Sequence, residues 1–290
     1  MFNAEIIADS LNPKGGRLTT FVVTLPRIVL AEFNTHRMVS RNSASSRAIP
    51  FERMKKRVLE EPFIPLRFQK DHKGMQGEDY LKGDDEKEAR RLWLVARDKA
   101  VHIAKLMNRE TGVTKQLCNR LLEPFQWQTI ICSATEWENF FALRAHEAAE
   151  IHIQKIAYMM LEAYNENTPT QLREGEWHIP FGDKIDKKRI TELKEWERPS
   201  IDGEEVYLDD FKVKIATARC ARVSYLNFEG KDDYGADIVL HDRLSEQGHW
   251  SPFEHCAIAN NDKKRSGNFV GFTQYRKTFP NENRAEPRVK

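Results

Sequence analysis

Hydrophobic and polar positions near the start of the chain predict a strand followed by a helix. Residues 17–24 come after a turn that contains proline and glycine, and their β-branched side chains indicate a strand. Over residues 24–33 the apolar positions predict a helix, with Thr24 as its cap and a proline near its first turn. We expect this helix to present His36 and Arg37 at its C-terminal end, ahead of a polar loop.

Two amphipathic helices are predicted in the middle of the chain. Residues 85–110 carry apolar side chains at helical spacing. In the second helix, over residues 135–151, Thr135 and Glu138 have the spacing of a capping box, and the apolar residues form one stripe. Arg144 falls on that stripe. Because a buried and unpaired guanidinium costs several kcal/mol, Arg144 must either extend to solvent or meet an acceptor.

The C-terminal third combines a charged segment with further strand and helix patterns. Charges of both signs crowd residues 183–210, which predicts an exposed connection and a soft boundary. Residues 211–225 are expected to form a strand, and residues 237–247 a helix that ends at Gly248. Residues 268–277 predict a strand or a short amphipathic element that either pairs with the first strand, stacks on an aromatic ligand or packs in the core.

The composition is that of a soluble globular protein of 290 residues, 40% of them hydrophobic and 31% charged. Lysine and arginine number 46 against 44 acidic residues, and this net charge of +2 predicts neither a nucleic-acid partner nor a membrane partner. No apolar run approaches the ~20 residues of a bilayer span and no signal segment opens the chain, so we expect a cytoplasmic protein. Between residues 26 and 57, however, eight basic residues face two acidic ones, which suits either a small anionic ligand or a solvated face.

The cysteines and histidines show no metal-site spacing. Cys118, Cys132, Cys220 and Cys256 are far apart and form no C-x-x-C motif, so we expect reduced and mostly buried thiols. The two histidines within residues 146–152 fall on different sides of a helix, and we therefore expect no metal. The glycine motifs of dinucleotide-binding and P-loop proteins are absent from the sequence.

Residues 35–47 (THRMVSRNSASSR) are dense in hydrogen-bond donors. The block holds three arginines, one histidine, four serines and one asparagine. Arginine forks match phosphate oxygens in a bidentate way, and hydroxyl groups adapt to several partners. The chemistry alone fits a site for a phosphate and a planar heterocycle, or a solvated polar loop.

The order of residues in this block resembles the R-H-R-x-x-S-x-N-x-x-S-x-R signature of flavin-dependent thymidylate synthases, the thymidylate synthase-complementing family. Residues 220–225 (CARVSY) are similar to the family's A-A-R-x-S-[YF] segment, and residues 248–255 (GHWSPFEH) to its G-H-x-[ST]-P-F-E-H segment. Residues 110–156 resemble its core helical region. In typical members the two shorter segments precede the signature, so this chain resembles a circularly permuted variant.

The resemblance implies an α/β fold in which helices flank a mixed β-sheet, within a single domain over residues 1–290. It also implies a homotetramer with shared active sites that hold FAD and the nucleotide dUMP. Arg144 matches the family's activating arginine near N3 of the pyrimidine. The positions that match nucleotide-binding residues are Glu32, Ser45, Arg47 and Arg120. Those that match flavin-binding residues are Thr35, His36, Arg37, Ser43, Asn139, Ser224, His249 and Ser251.

The reaction that the resemblance implies is methylation of dUMP at C5 to give dTMP. NADPH reduces FAD, methylenetetrahydrofolate donates the one-carbon unit, and no enzyme thiolate is needed. Two alternatives stay open: another C5 modification of a pyrimidine deoxynucleotide, such as hydroxymethylation, and a nucleotide-binding homologue without catalysis.

Several positions depart from the family pattern. Thr35 stands where the signature has its first arginine, Ser43 where a glutamate is usual, and Ala48 where a tyrosine often follows. Residues 133–135 replace an expected N-x-R, so two positive charges near the cofactor are lost. Arg41 or the basic residues of the C-terminal segment are candidates to compensate.

Overall fold

A five-stranded mixed sheet organises the N-terminal half of the chain. The computed structural model describes residues 1–43, 49–74, 77, 79–193, 204–224, 226 and 230–283, with backbone only for 204–207. The strand order in the sheet is β3-β4-β2-β1-β5. The strands are β1 (Asn3–Leu11), β2 (Arg17–Pro26), β3 (Ser40–Ser43), β4 (Trp127–Ala134) and β5 (Thr170–Gln171).

The β-branched strand β2 lies at the centre of this sheet. It runs antiparallel to β1 on one side and to β4 on the other. β3 is an edge strand antiparallel to β4, whereas the short β5 runs parallel to β1. The predicted strand at residues 17–24 and the predicted mixed sheet are thus confirmed.

Helices cover the sheet and build the rest of the fold. α6 packs on β1 and β2, and α8 contacts both α9 and β3. The predicted helices over 85–110 and 237–247 are confirmed. The α-helices are α1 (Leu30–Phe33), α2 (Phe51–Glu60), α3 (Gly83–Glu110), α4 (Lys115–Arg120), α5 (Glu138–Arg144), α6 (Ile151–Glu166), α7 (Lys187–Thr191), α8 (Glu204–Arg222) and α9 (Tyr234–Glu246).

Short strands in the C-terminal half form two small sheets. One has the order β10-β7-β6, and the other is the β8–β9 hairpin. The strands are β6 (Trp177–His178), β7 (Ala257–Ala259), β8 (Arg265–Ser266), β9 (Phe269–Val270) and β10 (Phe272–Gln274). The segment at 268–277 therefore pairs with β7 rather than with β2, while Phe269 and Phe272 pack with Leu18 of β2.

Two large apolar cores hold these layers together. In the first, Phe21 of β2 packs with Trp137 and Phe140 near α5 and with Ile156 of α6. The second joins α8 and α9 to the segment that follows them, and its buried residues include Phe253. Burial of large apolar side chains is the main favourable term in folding, so these cores fix where the polar segments between them meet.

Two predicted helix starts are wrong. Thr24 lies in β2, where its hydroxyl contacts that of Thr129 at 2.9 Å, and the chain turns into a 3-10 helix only after Pro26. Thr135 does not cap α5: its Oγ1 accepts a hydrogen bond from the backbone N–H of Val270. In both cases a partner from a neighbouring segment satisfies the hydroxyl that local spacing assigned to a helix end.

The single helix predicted over residues 135–151 is two helices, α5 and α6. Glu150 supplies the real cap of α6, because its carboxylate accepts from the backbone N–H groups of His152 and Ile153 at 2.8 and 3.1 Å. The break at residues 145–150 leaves Arg144 as the last residue of α5. The guanidinium therefore lies at the end of a helix, where cations are favoured.

The strand predicted at residues 211–225 is also wrong, since most of this segment belongs to α8. Its alternating start (FKVKI) imitates a strand, but the alanines that follow favour a helix. Residues 215–220 are all buried. Of the charged segment at 183–210, residues 194–203 lie outside the described part, and α7 and the start of α8 flank them.

The four cysteines are free and buried, as expected. Among the described residues no group of three or more histidine, cysteine or acidic side chains could hold a metal ion. No helix in the same part of the chain combines the length and the apolar character needed to cross a membrane.

Candidate active site

Arg144, at the end of α5, meets the loop that follows α1. Its Nε donates to Nε2 of His36 at 3.0 Å, and its Nη2 donates to Oγ1 of Thr35 at 3.4 Å. Its Nη1 lies 3.6 Å from Oε2 of Glu32. The guanidinium on the apolar stripe thus meets acceptors, and four of the predicted site residues come together. We call Glu32, Thr35, His36 and Arg144 the Arg144 cluster.

His36 is a neutral imidazole in this cluster. Nε2 can accept from Arg144 only through its lone pair, so the ring proton belongs on Nδ1. Burial, followed by the positive charges of Arg144 and Arg41, lowers the pKa of His36. The ring also contacts the edge of Phe140, with centroids 5.0 Å apart. The histidine is therefore held uncharged beside a cation.

Glu32 has a carboxyl group that is easier to protonate than usual. Burial, helped by the nearby charge of Glu150, raises the pKa of Glu32, while Arg144 acts in the opposite direction. Glu150 itself has a lowered pKa, because hydrogen bonds from the ring and backbone of His152 and from the backbone of Ile153 outweigh its burial. The Arg144 cluster thus contains one fixed cation and one readily protonated acid, and a stronger acid, Glu150, lies nearby.

The edge strand β3 connects residues 35–43 to the C-terminal motifs. Nδ2 of Asn42 donates to the backbone carbonyl of Cys220 at 2.9 Å, and Oγ of Ser251 donates to Oδ1 of Asn42 at 3.0 Å. Ser40 receives hydrogen bonds from Asn268 and Gln274, each at 3.1 Å. The three segments that carry the family resemblance are therefore neighbours in the fold, although they lie far apart in the sequence.

Ser224 and His249 each follow a residue with positive φ. Val223, at the end of α8, has a φ of 56°, which is unusual for a β-branched residue and indicates local strain. Ser224 then accepts a hydrogen bond at Oγ from the backbone N–H of Leu226. Gly248, with a φ of 69°, ends the α9 segment and leaves His249 exposed.

The remaining predicted flavin-binding residues lie on accessible surfaces. Arg37 and Asn139 are exposed, and Ser43 is half-buried on β3 opposite Ile130. Hydroxyl, amide, imidazole and guanidinium groups can all donate hydrogen bonds to the ring carbonyls and the diphosphate of FAD. With Ser251 brought to β3 by Asn42, the donors present fit such a group.

Of the other three predicted nucleotide-binding residues, only Arg120 can be placed relative to the cluster. Ser45 and Arg47 lie outside the described residues. Arg120 is the last residue of α4, which packs against α2 and α3, and its Nη1 lies 3.7 Å from Glu123. Among the contacts of the described residues, those of Arg120 include no member of the Arg144 cluster.

Sequence reasoning missed the roles of two residues. Asn42 was recognised only as part of the signature, yet it ties β3 to both C-terminal motifs. Glu150 caps α6 and contributes negative charge near Glu32. An acidic residue immediately before the apolar run of α6 was the available signal for this cap.

Comparison with known proteins gives a family match over the region that contains the signature at residues 35–47. The family model described as thymidylate synthase complementing protein matches residues 18–170, which is 153 of the 290 residues. No curated protein matches the chain. Two of the solved structures that resemble the chain, each at 16% identity, are of the UMP/dUMP methylase PolB from Streptomyces cacaoi. The one bound with 5-Br UMP has a TM-score of 0.45 and covers 57% of this chain and 89% of its own. The one bound with 5-Br dUMP has a TM-score of 0.43 and covers 52% of this chain and 66% of its own.

Because the family model spans more than half of the sequence, the chain belongs to the thymidylate synthase complementing protein family.

Proposed function

We propose that this protein is a flavin-dependent thymidylate synthase, which methylates C5 of dUMP to give dTMP. The observation that carries the proposal is the meeting of Arg144 with His36, Thr35 and Glu32. Family membership supplies the class of substrate. A guanidinium that acceptors hold in one position, on elements packed in the core, is suited to stabilise negative charge on a bound ligand.

Arg144 acts in this proposal on the pyrimidine ring. Its N–H groups donate to the base and stabilise the negative charge that develops there as electron density moves towards C5. Neutral His36 orients the guanidinium through Nε2 without adding a second positive charge. Glu32 keeps the arginine within reach until the nucleotide offers its own acceptors.

The residues that would hold FAD come from both parts of the chain. Thr35, His36 and Arg37 approach from the loop after α1, and Ser224 and Ser251 approach from the C-terminal motifs. Ser43, Asn139 and His249 complete the proposed set. Bound there, FAD would supply the hydride-transfer chemistry between NADPH and the carbon that methylenetetrahydrofolate donates.

The state of the cysteines favours a route without a protein thiolate. Burial raises the pKa of each of the four thiols, that of Cys256 to about 12. A thiol is a nucleophile only as its thiolate, so these groups are poor candidates for attack on the pyrimidine. A flavin-dependent reaction needs no such attack.

We propose that the enzyme is a homotetramer in which subunits share active sites. The lack of a contact between Arg120 and the Arg144 cluster, among the described residues, supports this arrangement, because a second copy of the chain could bring Arg120 to the nucleotide. Mixing an Arg120→Ala protein with an Arg144→Ala protein tests it. Recovery of turnover in the mixed oligomer is expected, and two inactive proteins that stay inactive after subunit exchange would contradict it.

The main experiment combines flavin spectroscopy with product analysis. The purified protein, or protein reconstituted with FAD, should absorb as a flavoprotein and lose its colour with NADPH. Incubation with dUMP, methylenetetrahydrofolate and NADPH should give dTMP by mass spectrometry, with dCMP as the comparison substrate. A hydroxymethylated product would replace the methylation proposal, and a colourless protein that binds dUMP without turnover would favour a silent homologue.

A further inference from the structure

Arg41, on the edge strand β3, points back into the loop that leads to its own strand. Its Nη1 donates to the backbone carbonyls of His36 and Val39 at 2.9 and 2.8 Å. Its Nη2 donates to the carbonyl of Asn34 at 3.0 Å. One guanidinium thus ties the loop over residues 34–39 together by donating to three of its backbone carbonyls, of which that of His36 also accepts from the backbone N–H of Val39.

The alternation of β3 explains why only Arg41 can do this. Successive side chains of a strand point to opposite faces. Ser40 and Asn42 contact the C-terminal segments through Gln274 and Ser251. Arg41 lies between them and faces the other way, towards the loop. The same four-residue strand therefore joins the C-terminal motifs on one face and shapes the loop on the other.

The loop that Arg41 closes carries two acceptors of Arg144. Thr35 and His36 present Oγ1 and Nε2 to that guanidinium. We infer that Arg41 is a positioning residue, which fixes the loop over residues 34–39 and thereby holds Thr35 and His36 in place for Arg144. The inference rests on the proposed function only for its effect on turnover.

Arginine is the side chain that this geometry requires. Its planar guanidinium carries five N–H donors in a fixed fork, so two nitrogens can serve three carbonyls at once. A lysine ammonium is a compact point charge on a flexible stem and cannot keep the three directions together. The positive charge of Arg41 also matters. The pKa of His36 is lowered first by burial and then by the charges of Arg144 and Arg41.

Two variants of the full-length protein separate these contributions. Arg41→Met removes the charge and the donors, whereas Arg41→Lys keeps the charge and loses the fork. Arg173→Met, which alters an arginine whose side chain is 91% exposed, is the matched control. Hydrogen exchange of the amides at residues 35–39 and NMR titration of the His36 ring, assigned with His36→Gln, report on the loop without any substrate.

We expect exchange at residues 35–39 to accelerate at least tenfold in both Arg41 variants, with β2 and β4 unchanged. The pKa of His36 should rise in Arg41→Met, because a nearby positive charge is lost and the ring gains water. It should rise less in Arg41→Lys. If the proposed reaction is correct, kcat should fall about tenfold while KM for dUMP changes less than about threefold, since Arg144 acts on the transition state.

The outcomes distinguish this inference from the proposed function. Unchanged exchange at residues 35–39 together with an unchanged His36 titration would overturn the role of Arg41. Exchange that accelerates equally throughout β2 and β4 would also overturn it, because that result describes general destabilisation. A wild-type protein that converts no nucleotide would remove the proposed reaction, while the exchange and titration data would still decide what Arg41 does.

Discussion

Two polar regions of this molecule that contain histidines surround the imidazole rings with different partners. In the first, which we call the buried histidine network, His178 contacts Ser10 through Nδ1 at 2.9 Å and Thr20 through Nε2 at 2.8 Å. Thr20 contacts Ser133, which in turn contacts Nδ1 of His255. In the Arg144 cluster, by contrast, His36 meets a guanidinium beside exposed Thr35 and Arg37.

The two regions differ in the hydrogen-bond partners of their histidines and in the exposure of the surrounding residues to solvent. His178 and His255 are fully buried, and burial lowers the pKa of each to about 3. Neutral rings bound to hydroxyl groups join the central sheet to β6 and to the segment before β7, which is a structural role. His36 sits beside charged groups at a surface that a ligand can reach. Removing a residue should therefore cost stability in the first region and activity in the second.

The largest effect is expected from Arg144→Ala. Loss of a preorganised donor at a charge-developing site lowers kcat by about 100- to 1,000-fold. The thermal midpoint and the oligomeric state should stay close to wild type, because the side chain lies at the end of α5. Steady-state assays of dTMP formation and a thermal melt measure both.

Arg265→Ala is the control for that variant, since Arg265 is an exposed arginine paired with Glu136 at 2.7 Å. Full activity in Arg265→Ala with a severe loss in Arg144→Ala would support the contrast between the regions. Unchanged dTMP formation in Arg144→Ala would remove Arg144 from the proposed reaction.

His178→Ala should produce the largest loss of stability. It leaves buried Ser10 and Thr20 without their ring partner and creates a cavity, so the free energy of unfolding should fall by about 3 kcal/mol. Urea denaturation measures this change. His102→Ala, on the exposed side of α3, should stay within about 0.5 kcal/mol of wild type. Equal losses in the two variants would show that the buried histidine network contributes nothing specific.

Acidification should weaken the fold through the same network. The pKa of His178 and of His255 drops from 6.5 in the unfolded chain to about 3 in the native protein. Between these values the unfolded state binds more protons, so stability is present near neutrality and falls as the pH drops below 6.5. The loss should be about 2 kcal/mol per histidine at pH 5. The midpoints of urea denaturation near neutral pH and at pH 5 measure this loss of stability. A midpoint that does not change with pH would contradict the assignment of neutral rings to His178 and His255.

The sequence predicted the Arg144 cluster better than it predicted the elements around it. The signature singled out Thr35 and His36 as neighbouring site residues, and the apolar stripe made Arg144 conspicuous, because an arginine on such a stripe needs an acceptor. The ends of α5 and α6 were not predictable in this way. Thr135 has the spacing of a cap, but a backbone N–H from β9, far along the chain, takes its hydroxyl.

Long-range packing also explains why the strand predicted at residues 211–225 is wrong. Residues 211–215 alternate like a strand, but the alanines that follow and the packing of α8 against α9 and β3 favour a helix. Tertiary contacts of this kind override local propensity. The buried histidine network was invisible for the same reason, since Ser10, Thr20, Ser133 and the two histidines come from five separate segments.

The smallest expected effect comes from Glu32→Gln, which tests how far the contrast between the two regions depends on charge. The carboxylate is 42% exposed and lies 3.6 Å from Arg144. Ion pairs of that kind contribute at most about 1 kcal/mol, and glutamine keeps an acceptor oxygen, so KM for dUMP should change by less than about fivefold. Glu136→Gln, which removes the carboxylate from the exposed pair with Arg265, is the matched control and should not alter KM. A hundredfold rise in KM for Glu32→Gln alone would mean that the charge of Glu32 itself binds the nucleotide or fixes Arg144. The Arg144 cluster would then depend on an ion pair as strongly as the buried histidine network depends on neutral hydrogen bonds.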